Sequence, residues 1–113
     1  MSPGETLELA VSLAGDLGAD TMTGETPEVS VWTKSGDTYT AASGFTVANE
    51  QVNTAELTAA GGETIAIGQA IVFLLTAGAA GTYYVRAECD ATGAPPHVVT
   101  ERVLIVSGAP AVA

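Results

Sequence analysis

Cations are scarce in this sequence: Lys34, Arg86 and Arg102 stand alone against 13 Asp and Glu. The resulting formal charge of −10 repels phosphate backbones and excludes nucleic acid as a partner. Cysteine and histidine occur once each, as Cys89 and His97, which rules out an internal disulfide, a thiolate zinc site and a recurring Cys/His pair. Aromatic residues are few, with one Trp, three Tyr and two Phe. The longest apolar stretch, Ile65 to Leu75, is broken by Gly68 and Gln69 and reaches only about half of the roughly 20 residues that cross a bilayer. The opening Met1-Ser2-Pro3-Gly4-Glu5 has neither a basic nor an apolar leader region, and reads as the start of a cytosolic product.

Motifs for chemistry are missing as well. No G-x-S-x-G elbow accompanies the six serines, and no G-x-x-x-x-G-K-[ST] phosphate cradle occurs. Glu25 and Glu28 fall in or beside a loop, without the apolar surround that raises a carboxyl pKa for acid catalysis. Asp16 and Asp20 flank a glycine-rich turn but do not form the D-x-D-x-D-G series of a calcium loop. These gaps exclude an assigned catalytic, cofactor-binding or metal-binding residue, and the expectation is a protein that is not an enzyme and needs no cofactor.

The chain does have enough apolar residues for a core: 113 residues, 47% of them hydrophobic, with a mean hydropathy of +0.33. Thirteen glycines and fifteen threonines punctuate short runs, and no window holds a helical stripe without a glycine. Period two is the dominant signal. Leu7, Leu9, Val11 and Leu13 alternate with polar or small residues; Val29, Val31 and Thr33 share one face of a strand from Glu28 to Lys34 while Ser30 and Trp32 share the other. Ser35-Gly36-Asp37 signals a tight turn into a partner strand starting near Tyr39. Ala42 to Leu57 reads as two short strands with a bend near Asn49, and Glu63 to Ile67 with Ala70 to Thr76 as one interrupted or two adjoining strands. Thr82 to Asp90 puts Tyr83, Val85, Ala87 and Cys89 on one face and Tyr84, Arg86, Glu88 and Asp90 on the other; after a turn with Gly93, Pro95 and Pro96, Val98 to Ser107 closes the fold.

Such spacing predicts an all-β fold, an Ig-like antiparallel β-sandwich of about seven short strands. One domain spans 1–113, with a core over about 5–107 and a flexible C-terminal tail at 108–113. The predicted core includes Leu7, Leu9, Val11, Val29, Val31, Val85 and Ala87. Cys89 is expected inside as an inert thiol. Gly15 to Pro27 reads as a mobile loop that carries function or adapts to a partner. His97 with Glu88, Asp90 and Glu101 could form a weak cation site only if the hairpin register gathered them, and solvated charge is the favoured account. Trp32 and Tyr84, aromatic residues on outward strand faces, are the candidate interface anchors.

Two resemblances follow from these residues. Ala80-Gly81-Thr82-Tyr83-Tyr84-Val85 resembles the turn-then-Tyr approach to the penultimate strand of Ig-like domains, which makes Tyr83 the corner tyrosine whose hydroxyl bonds back to the preceding turn. With Cys89 unmated, the likeness is to cysteine-free bacterial and viral modules. Over most of residues 5–107, the V-S-V-W-T-K-S-G strand and turn, T-A-G-A-A-G-T-Y-Y-V-R-A-E-C and the closing V-L-I-V resemble small structural proteins of tailed bacteriophages, the fibre-tail adaptor or minor head and tail type. That resemblance implies a virion protein assembled in the host cytoplasm, with other virion proteins (capsid, tail or fibre subunits) as partners. It would act as an adaptor or as a capsid cement (decoration) protein, monomeric or weakly oligomeric when free and a symmetric multimer in the particle, without nucleic-acid or membrane contact. The alternative is an Ig-like adhesin or carbohydrate-binding module.

Overall fold

The computed structural model describes residues 1–58, 61–91 and 97–107. In chain order these form β1 (Thr6–Ser12), one helical turn α1 (Ala14–Leu17), β2 (Glu28–Ser35), β3 (Thr38–Ala41), β4 (Thr46–Val52), β5 (Leu57–Thr58), β6 (Thr64–Ile65), β7 (Ala70–Thr76), β8 (Gly81–Asp90) and β9 (His97–Val106). Sheet order is β1-β7-β4 in one layer and β3-β2-β8-β9 in the other, with β5-β6 as a separate small hairpin; every pairing is antiparallel. The seven strands of the two layers follow the Ig-like order B-E-D against C′-C-F-G, and β5-β6 is an excursion between D and E. No described strand takes the A position beside β1.

Apolar residues at alternate positions explain where the layers meet. Ile71, Phe73 and Leu75 of β7 face Val29 and Val31 of β2 and Tyr83, Val85, Ala87 and Cys89 of β8 across one buried cluster. Central β7 and β8 contribute most because both neighbours of each are strands, whereas the edge strands bury less. Leu7 shows the cost of an edge: it shares the inward phase of Leu9 and Val11 yet is 38% exposed, so it leaves the predicted core. Alternation fixes a face without supplying a layer to cover it, and β1 has an open side.

Turn chemistry sets the registers. Ser35 pairs with Thr38 across a two-residue loop, and Gly36 holds φ +61° at its first position, as a type II′ turn requires. The expected bend at Asn49 is a bulge inside a single strand, β4, where Asn49 takes φ +56° and the pairing with β7 slips between Ala48 and Gln51. At the corner between β7 and β8 the Tyr83 hydroxyl donates to the Ala79 carbonyl (2.8 Å), and the Phe45 ring meets Tyr83 edge-on at 4.5 Å. The expected corner bond is therefore present.

Gly15 to Pro27 is not the mobile loop its composition suggests. Leu17 and Met22 are buried in the core cluster, the Met22 amide donates to Gly68 O (2.8 Å), and Gln69 Nε2 donates to Gly18 O (2.7 Å) and Asp20 O (3.1 Å). Gly68 permits this closeness: a Cβ there would lie 2.5 Å from Thr23 Oγ1 and 2.9 Å from Thr21 Cβ. Isolated apolar residues without a period anchor the segment, which is why pattern reading missed it. The Gly93–Pro96 turn and the tail at 108–113 lie outside the described residues.

Candidate functional site: the outer face of the four-stranded sheet

Register brings the two candidate anchors together. Trp32 of β2 sits directly opposite Tyr84 of β8, both on the face turned away from the core. Lys34 pairs with Tyr39 across the β2–β3 hairpin, so Tyr39 joins the same face, and Arg86, two residues beyond Tyr84, completes it. The Arg86 guanidinium lies 5.2 Å from the Trp32 ring centre and 5.7 Å from that of Tyr39, while Lys34 Nζ stands 5.4 Å from the Tyr39 ring. Tyr39 and Tyr84 meet edge to face at 6.1 Å and 79°.

Polar contacts fix this cluster. The Tyr39 hydroxyl donates to Glu101 Oε1 (3.2 Å), and Glu101 Oε2 faces Arg86 at 3.9 Å across β8 and β9. Trp32 Nε1 donates to Ser30 Oγ (2.8 Å) two residues back on its own strand. All four of Trp32, Tyr39, Tyr84 and Arg86 are half-buried and lie against one another. Rings held by a shared guanidinium lose little side-chain freedom on docking, which favours a contact surface. Tyr39 and Arg86 were not singled out by sequence, although the two-residue turn implied the first and the alternation of β8 the second.

Other candidates fall apart. Glu101 is opposite Arg86, Asp90 is opposite His97, with His97 Nδ1 and Asp90 Oδ1 2.7 Å apart, and Glu88 faces Val99. The register spreads these groups along the hairpin, and no group of three or more potential metal ligands occurs among the described residues. The Asp16 side chain lies outside the described set, so the Asp16/Asp20 pairing has no geometry to report. Cys89 is buried, as expected. Burial pushes its thiol above the ordinary value, the negative charges of Asp90 and Glu25 push the same way, and a backbone hydrogen bond at Asp90 opposes them.

One structural group escaped the sequence altogether. Asn53 is buried and fully bonded: its Nδ2 donates to Ala55 O (3.0 Å) and Ala66 O (2.9 Å), and its Oδ1 accepts from the amides of Gly68 (3.0 Å) and Ala70 (2.9 Å). It closes the base of the β5-β6 excursion. Comparison of the chain with family models, with curated proteins and with solved structures returned no match.

Proposed function

We propose that the chain is a non-enzymatic structural protein of a tailed-phage virion. It joins or reinforces head, tail or fibre components as an adaptor or cement subunit, docking through the outer face of the β3-β2-β8-β9 sheet. The observation that carries the docking role is the Trp32–Tyr84 pairing, buttressed by Tyr39 and Arg86 on the sheet face turned away from the core. Aromatic and arginine side chains so clustered are the residue types that dominate protein interfaces. Support for the virion setting is the resemblance of the V-S-V-W-T-K-S-G and T-A-G-A-A-G-T-Y-Y-V-R-A-E-C segments described above.

The adhesin or carbohydrate reading is less well supported by this geometry. A sugar needs an aromatic ring laid open to its face, but Tyr39 and Tyr84 stand at 79° to each other and Arg86 lies over Trp32. The test is the doubly substituted chain, Trp32→Ser with Tyr84→Ser. It is expected to stay folded and to lose incorporation into assembling particles; full incorporation of the folded variant overturns the docking face.

A further inference from the structure

We propose that the opening between β1 and β9 receives an extended segment of another protein as an inserted strand, pairing with the free edges of both. The segment is apolar at alternate positions and carries one carboxylate on its inward face, which meets Arg102. This names a second surface beyond the docking face and rests on neither that face nor the virion setting. Two unbroken edges flank the opening. β1 runs in continuous register with β7 from Thr6 to Ser12, β9 does so with β8 from His97 to Val106, and neither contains Gly or Pro. The other two outer edges are poorer templates: β3 has four residues, and β4 is bulged at Asn49.

Backbone direction turns both edges into the opening. The Leu13 amide donates to Gln69 O, just before β7. Alternate residues of an antiparallel strand direct their amides to the same side, so those of Glu8 and Ala10 point away from β7. The Ser107 amide donates to Met1 O (2.8 Å), away from β8, and those of Val103 and Ile105 share its direction. One side chain already spans the space between: the Arg102 guanidinium donates to Glu101 O of β9 (3.1 Å) and to Ser12 O of β1 (3.1 Å). Edge carbonyls of both strands thus lie within reach of a single group. An inserted strand offers its own amides to the same two rows of carbonyls.

Side chains facing the opening set the chemistry of the segment. Leu7 is 38% exposed although inward in phase, Leu9 and Leu104 are half-buried, and the groove of about 580 Å³ has Phe73 and Val85 on its floor. Apolar residues at alternate positions of an inserted strand cover this surface. Arg102, inward in phase with Leu104, is the one charged residue among the described groove lining, and its acceptors are neutral: Thr100 Oγ1, Glu101 O and Ser12 O. Among the described residues no carboxylate pairs with it. An inward charge on an edge strand blocks pairing with a purely apolar strand. The same charge selects a strand that brings a carboxylate to it, because the incoming amides take Glu101 O and Ser12 O and leave the guanidinium short of acceptors. The net charge of −10 disfavours any further acid on the segment. A second copy of this chain fits poorly, since its alternating apolar strand residues already turn into its own core.

The probes are capped nonapeptides added to the purified chain, with Val alternating with Thr and the central residue of the Val face replaced by Glu, Gln or Lys. A fourth peptide keeps Val at the centre and moves the Glu to the Thr face. The central-Glu peptide is expected to bind roughly tenfold tighter than the other three and to slow exchange of the Glu8 and Ala10 amides on β1, and of the Val103 and Ile105 amides on β9, about tenfold. Arg102→Gln is expected to erase the preference for Glu over Gln. If that variant does not fold, the ranking of the four peptides and amide exchange in the unaltered chain decide the matter. The Trp32→Ser, Tyr84→Ser chain is expected to keep peptide binding, which separates this surface from the docking face. Binding of the Lys peptide as tight as that of the Glu peptide, protection of one edge alone, or a preference for Glu that survives Arg102→Gln overturns the proposal. So does self-association of the free chain that protects these same amides, which assigns the opening to a second copy.

Discussion

Cys89 lies inside the sandwich with a thiol held above its usual range, chiefly by burial. Thiol reagents act on the exposed thiolate, so labelling of the native chain at neutral pH is expected to be slow and to become fast in denaturant. Rapid native labelling would place the residue outside and invert β8. The raised value also has a direction in stability. A group whose folded value exceeds its unfolded one stabilises the fold fully below the unfolded value and loses that contribution as pH rises through the folded one. Denaturant unfolding of the native chain is therefore expected to weaken with pH above about 9 more steeply than that of Cys89→Ala. Asn53 makes a sharper residue-scale case. Asn53→Ala removes four side-chain bonds; the Gly68 amide keeps the Asn53 carbonyl and the Ala66 carbonyl keeps the Gln69 amide, but the buried Ala70 amide loses its acceptor, and the change is expected to cost about 2–4 kcal/mol. Asn53→Asp, nearly isosteric, is expected to cost at least as much, because it sets a carboxylate oxygen against the Ala55 and Ala66 carbonyls; a mild Asp variant in thermal melts would contradict this bonding.

Strands β2, β7, β8 and β9 were legible from alternation and turn residues, and β8 illustrates why. Both of its neighbours are strands, so its inward residues have a layer to meet, and the phase of Tyr83, Val85, Ala87 and Cys89 became burial directly. Val85→Asp places an unpaired charge in that layer and is expected to destabilise by several kcal/mol; a melting temperature within a degree or two of the parent would show the face to be wrong. Leu7 had the same phase without the same neighbours. The candidate site was half legible: each strand's pattern put Trp32 and Tyr84 outward, but their adjacency depends on the register between β2 and β8, about fifty residues apart in the chain, which no local pattern encodes. The anchored Gly15 to Pro27 segment and the β5-β6 excursion were illegible for a related reason. Met22 and Asn53 each act as one isolated residue through long-range bonds to residues 66–70, and an isolated residue has no period.

At the scale of the molecule, charge and shape pull in different directions. A net charge of −10 opposes self-association, whereas the outer sheet face gathers two of the three cations, Lys34 and Arg86, among its rings. The same face also carries Glu28, Glu88 and Glu101, and the net negative charge of the chain favours a basic or apolar partner whose binding weakens as salt is added. The central claim is that this face docks the subunit within a tailed-phage particle. A reconstruction of the particle assembled with this chain tests it most directly. The account predicts a β-sandwich at the head surface or at a tail or fibre junction, with Trp32 and Tyr84 covered by a neighbouring subunit. A sandwich whose β3-β2-β8-β9 face is turned to solvent, or a particle that lacks the chain, would contradict it.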